Sequence, residues 1–158
     1  MGLKFTTVFE NVSVSAIQDA FSLKAGASNP LKLIKLEISQ NGNSDVGDAQ
    51  EEDLRWQIKV GATTQGSGGS APTPSNGRGN TATATAHAND TTQASAGTAK
   101  TTYASAFNIR TGLLYIPTPE EQELHVTPAG QIMQIAFPAA PADAITFTGT
   151  IIHEELGT

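Results

Sequence analysis

A two-residue rhythm constrains this chain more than any other feature. From Asp53 onward, Leu54, Trp56, Ile58 and Val60 share one parity, and Arg55, Gln57 and Lys59 share the other. Successive side chains of an extended strand point to opposite faces, so the pattern predicts a strand buried on one side and wet on the other. It holds the only tryptophan of the chain, which places it toward the middle of a sheet.

The rhythm recurs. In Leu31–Gln40, Ile34, Leu36 and Ile38 share a face, but Leu31 and Leu33 fall on the opposite parity. Either both faces are covered there or a bulge flips the phase. Asn29-Pro30 marks a turn before it. Met133, Ile135 and Phe137 alternate next, and Pro138 and Pro141 interrupt the chain. Ile145, Phe147, Gly149 and Ile151 then alternate with Thr146, Thr148 and Thr150, β-branched residues that favour strands. Tyr103, Ser105, Phe107 and Ile109 share a parity, and an apolar run follows from Leu113 to Ile116. Phe5–Phe9 and Phe21–Ala25 are shorter strand candidates, and Ser15–Asp19 fits a helical turn. No helical stripe persists elsewhere. About eight or nine short strands separated by Gly, Pro, Asn and Asp turns predict an all-β fold with little helix, an antiparallel β-sandwich of jelly-roll-like type.

The stretch from residue 61 to 99 departs from this regularity. Its only formal charges are Arg78 and Asp90. Residues 61–80, with Gly66-Ser67-Gly68-Gly69-Ser70 and then Pro72 and Pro74, have the composition of a long flexible loop. Thr81–Ala88 alternates strictly, with alanine on one parity and threonine or histidine on the other. Disordered segments are usually rich in charge, so the expectation here is a strand with a thin alanine face close to another sheet or subunit. The 158 residues are read as one domain with this excursion inside it.

Composition excludes several chemistries. There is no cysteine, hence neither a disulfide nor a thiolate metal site. A net charge of −6 disfavours nucleic acid, because a negative surface repels phosphate. The chain has no apolar run long enough for a membrane helix. The opening residues lack a basic stretch followed by an apolar one, so no secretory leader is expected.

Few motifs carry chemistry. Asp45, Asp48, Glu51, Glu52 and Asp53 form an acidic cluster without the spacing of an EF-hand loop. It is read as solvated loop, with Asp45 and Asp48 the one Ca²⁺ candidate. Glu120, Glu121 and Glu123 are expected in an exposed loop. His87, His125 and His153 are isolated from one another and expected on strand surfaces. The chain has neither a nucleophile elbow nor a P-loop. No catalytic residue, cofactor or metal is therefore assigned, and no enzymatic activity is expected. Among the aromatics, Trp56 belongs to a core, whereas Tyr115, beside Pro117, is the candidate for exposure in a sugar-binding platform with Tyr103.

A set of segments distributed along the chain carries a resemblance. They are Pro30–Leu33 leading into Glu37–Gln40, Ser44–Glu52, Gly66–Pro74, Ala106–Gly112 and Pro138–Asp143. Together they resemble small proteins from the structural-gene regions of tailed bacteriophages and prophages. The resemblance implies a non-enzymatic virion structural protein, a capsid decoration (cement) protein of jelly-roll type. It would be made in the host cytoplasm and bound on the capsid exterior to the major capsid protein, as a homo-oligomer with a trimer favoured. The alternative is a carbohydrate- or receptor-binding module of a head or tail fibre. Interface candidates are Thr64, Gly68, Pro72, Thr83, Thr85 and Tyr115.

Overall fold

In the computed structural model, which describes residues 2–41 and 51–157, nine strands and one short helix follow one another. They are β1 (Leu3–Val14), β2 (Gln18–Lys24), β3 (Leu31–Gln40), β4 (Asp53–Ala62), β5 (Thr85–Asp90), β6 (Lys100–Asn108), β7 (Leu113–Tyr115), α1 (Pro119–Leu124), β8 (Ile132–Phe137) and β9 (Ile145–Glu155).

The topology is a long hairpin folded in half and rolled up. β1 pairs with β9, β2 with β8, β3 with β7 and β4 with β6, all antiparallel. Rolling adds the pairs β3–β9 and β4–β8. Two sheets result, β1-β9-β3-β7 and β5-β2-β8-β4-β6. This winding is the jelly roll expected from the alternation. β5 is an addition inside the turn of the hairpin and pairs with β2.

The inward parities of the two sheets meet in one core. Cross-sheet ring contacts hold it: Phe9 on Phe21 at 5.1 Å, Phe107 on Phe147 at 6.2 Å and Trp56 on Tyr115 at 5.3 Å between centroids. Leu54, Trp56 and Ile58 are buried as the alternation predicts, and β4 lies between β8 and β6. The parity conflict in β3 resolves as a bulge. The register on β9 shifts between Leu33 and Lys35, so Leu31, Leu33, Leu36 and Ile38 all face the core.

Three local expectations are corrected. Gln18 and Asp19, expected in a helical turn, open β2, because they pair with Phe137 and Ala136 of β8. The acidic group Glu120–Glu123 belongs to α1 and not to a loop. Thr118 caps that helix, its Oγ1 accepting from the Glu121 amide while the Glu121 carboxylate accepts from the Thr118 amide. The Thr/Ala alternation becomes a strand only from Thr85, with Ala86 and Ala88 buried. Thr83 and Ala84, just before it, are held by the Glu155 carboxylate instead.

Candidate functional site

Residues 61–99 leave β4, cross the outer face of the β5-β2-β8-β4-β6 sheet and return into β6, with β5 embedded in the excursion. The Gly/Ser-rich part, a loop as composition led us to expect, is tied down as a strap. Its backbone makes paired bridges: Thr64 with Ser95, Ser67 with Thr92, Ser70 with Ala88 and Ser75 with Thr6. The glycines permit this close approach. A Cβ on Gly66 would lie 2.2 Å from the Thr92 carbonyl oxygen, and one on Gly69 would lie 2.1 Å from that of Ala88.

Buried carboxylates on the strands clamp the strap from beneath. Asp19 Oδ2 accepts from the Ala94 amide at 2.7 Å and from Gln134 Nε2 at 3.1 Å, and its Oδ1 accepts from Gln93 Nε2 at 3.0 Å. Burial raises the Asp19 carboxyl above its ordinary value, and Asp90 adds to the rise. The Ala94 amide, Gln134 and Lys59 oppose it. Asp90, opposite Asp19 in the β2–β5 register, accepts from the Gly69 amide at 3.2 Å and lies 3.1 Å from His87 Nδ1. Glu155, fully buried at the end of β9, accepts from the amides of Thr83 and Ala84 at 2.8 Å each and from Thr83 Oγ1 at 2.9 Å. Gln65 Nε2 donates to the carbonyls of Ser22 and Thr85.

Five of the six interface candidates lie on this excursion. Thr64, Gly68, Thr83 and Thr85 are exposed and Pro72 is half-buried. The hydroxyls of Thr83 and Thr85 also hold the strap, donating to Glu155 and to Gln65 Oε1. Tyr115 is not with them, and its expected exposure is corrected. It is only 9% exposed, on the opposite side of the sandwich, with its ring against Trp56 and 4.6 Å from Tyr103 between centroids. With Trp56 and Tyr115 buried, Tyr103 alone of the three aromatics keeps a partly open face.

The expectation of surface histidines is corrected for two of the three. His125 is 1% exposed and His153 fully buried, whereas His87 is half-exposed. Tyr115 Oη lies 2.9 Å from His125 Nε2, His125 Nδ1 lies 2.9 Å from Thr102 Oγ1, and Thr102 Oγ1 donates to the Ile58 carbonyl at 3.4 Å. Because Thr102 donates onward, it accepts from Nδ1–H, which leaves Nε2 to accept from the tyrosine. Every proton in this relay is committed, and it ends on a backbone carbonyl, so it ties β7 and the end of α1 to β6 and β4. Burial keeps His125 below its ordinary value and, with Glu121 and Tyr103, pushes the Tyr115 phenol up to about 12.

Among the described residues there is no group of three or more His, Asp or Glu side chains placed to hold a metal. Asp45 and Asp48, the Ca²⁺ candidate, lie outside the described residues. Glu51 and Glu52 act as ties, Glu51 accepting from Asn108 Nδ2 at 2.9 Å and Glu52 from the Ala142 amide at 3.0 Å. An open cleft of about 600 Å³ is lined by Val60, Lys100, Thr102, Leu124, Val126 and Pro128 among others, with Lys100 its only charge. Sequence reasoning missed Asp19, Asp90 and Glu155 as clamps. The available signal was a carboxylate inside or at the end of an otherwise apolar or neutral strand, where an unpaired charge is not tolerated. Comparison with family models, with curated proteins and with solved structures finds no match to this chain.

Proposed function

We propose that this chain is a non-enzymatic structural protein of a tailed-phage virion, a decoration protein that binds the exterior of the assembled shell through the major capsid protein. The observation that carries the reading is the strap. Its exposed surface is made by Thr63, Thr64, Ser67, Gly68, Ser70 and Thr73. Of the two charges between residues 61 and 99, Asp90 is buried, which leaves Arg78 as the one at the surface. Depletion of charge is the compositional mark of a protein–protein interface core. A strap already held by bridges and buried carboxylates loses little conformational freedom on docking, which favours binding by a preformed surface. Many copies on one shell would add avidity to a modest single contact.

The test is to purify particles from cells carrying the gene by density gradient and to locate the chain by mass spectrometry and electron cryo-microscopy. The reading expects stoichiometric density on the outer shell surface with the strap facing the capsid. Particles free of the chain, or a chain located only in a tail fibre, overturn it. Thr64→Lys and Thr73→Lys, which place charge on exposed positions of the strap, should reduce occupancy on the shell without unfolding the free protein.

A further inference from the structure

A sandwich has four sheet edges, each a row of backbone donors and acceptors that can recruit another strand, and folded proteins cover, charge, shorten or distort them. Three of the four are guarded here. The β1 edge is bridged by Ser75, with Thr6 N to Ser75 O at 2.7 Å and the reverse bond at 2.9 Å. The β5 edge is bridged by Ser70 through Ala88. The β7 edge is only three residues long. The fourth, β6, has nine residues, pairs with β4 on one side and has no strand or bridge on the other among the described residues. It has no proline, and Lys100 at its end is its only charge. Ala104, Ser105 and Ala106 are exposed at its centre.

We infer that the free edge of β6 is the self-association surface of this protein, and that its occupant is β6 of a second copy, antiparallel about a two-fold axis at Ala104. Charge favours this partner. The β4–β6 ribbon is basic at one end, where Lys59 and Lys100 sit, and net acidic at the other, where Glu51, Glu52 and Asp53 gather against Arg55 opposite Ala106, with Asp53 opposite Asn108 and Glu51 accepting from the Asn108 side chain. Arg110 shares the acidic end through its 3.8 Å contact with Glu51. An antiparallel two-fold pair sets the basic end of each copy against the end bearing Glu51 and Asp53 of the other, with Lys100 opposite Asn108. A chain of net charge −6 resists association elsewhere, but the residues between Thr101 and Phe107 carry no charge. The small side chains of Ala104 and Ala106 let two backbones reach ladder distance. The pairing is isologous and therefore closed. With the other edges guarded, it joins two five-stranded sheets and stops. It is thus a two-fold pair in place of the trimer that the phage resemblance implies. It concerns the free protein, so it stands or falls separately from shell binding.

Light scattering and sedimentation of the wild-type chain should give a two-copy mass that dissociates on dilution. Ala104→Lys sets two lysines face to face and should weaken the pair by about tenfold or more, while circular dichroism shows the fold retained at this exposed position. Mixing Ala104→Lys with Ala104→Glu should restore a mixed pair. Because the chain has no cysteine, Ala104→Cys should form a disulfide-linked pair on mild oxidation far faster than Ala71→Cys on the strap. A single-copy mass at every concentration overturns the inference. So does a larger assembly indifferent to Ala104→Lys, or equal cross-linking at residues 71 and 104.

Discussion

His153 should make this protein lose stability in mild acid. It faces inward on β9, fully buried, with its ring stacked 5.9 Å from Phe5 between centroids. Neither ring nitrogen has a hydrogen-bond partner. Burial lowers its pKa from 6.5 to about 4, against a smaller pull upward from Glu155. Above about pH 6.5 the imidazole is neutral in both native and unfolded chains and contributes no pH dependence. Below that, the unfolded chain takes up a proton that the native protein refuses. Stability then falls by about 1.4 kcal/mol per pH unit and levels off near pH 4, a total loss of about 3 kcal/mol. Against the roughly 5–15 kcal/mol of a typical domain this is a substantial fraction. His125 has the same sign, because burial lowers it too. Asp19 has the opposite sign: its carboxyl is raised, so its contribution is present at low pH and is lost as pH rises through its native value. A single acid profile therefore mixes three groups, and the difference from His153→Gln, which keeps a polar side chain but cannot titrate, isolates one. Urea unfolding measured from about pH 7 to about pH 4 should show the wild type losing about 3 kcal/mol more than the variant. Parallel profiles would refute the claim that a buried neutral imidazole is held at this place.

Asp19→Ala removes the acceptor of the Ala94 amide, Gln93 and Gln134. It should cost about 2–4 kcal/mol, with hydrogen exchange accelerating first at Ser67, Ala94 and Ser95. Gly69→Ala drives a Cβ to 2.1 Å from the Ala88 carbonyl oxygen; it should cost about 1–3 kcal/mol and, by the same exchange readout, release the Ser70–Ala88 bridge. Tyr115→Phe leaves His125 Nε2 buried without its donor and should cost about 1–3 kcal/mol in thermal or urea unfolding. The ¹⁵N shifts of His125 should then show whether the Nδ1–H form loses its preference.

Much of the sandwich was legible because burial writes itself into parity. Leu54 to Ile58 and Ile145 to Ile151 alternate with the core that lies on one side of β4 and β9, and even the phase slip in β3 pointed to the bulge at Ile34. What parity cannot express is a strand covered on both faces. β2 and β8 are buried at nearly every position, because the strap lies on their outer side. Gln18, Asp19, Ser22 and Gln134 therefore look like surface residues in sequence although each is within 2% of full burial. The turn expected at Ser15–Asp19 fails for this reason: a polar residue in an otherwise apolar run signals solvent only when nothing crosses above it. The surface placement expected for His153 fails for another, because it shares the inward parity of β9 with Phe147 and Ile151.

The strap shows what composition alone leaves undecided. Gly/Ser-rich chain is flexible when its backbone bonds only to water, but the same glycines are the residues that let a backbone approach another within a Cβ radius. Between these outcomes the deciding groups lie far away in sequence. Ala94 is held by Asp19, 75 positions away, and Thr83 by Glu155, 72 positions away. Each clamp is a carboxylate that would be costly to bury unless backbone amides came to meet it, and the strap supplies those amides. The burial of Asp19, Asp90 and Glu155 and the order of the strap are therefore one arrangement. A perturbation of either side should appear on the other, so Gly69→Ala should alter the environment of Asp90 as surely as Asp19→Ala loosens Ala94. If the two sides respond independently, the strap rests on the sheet without being clamped, and the preformed surface proposed for docking loses its physical basis.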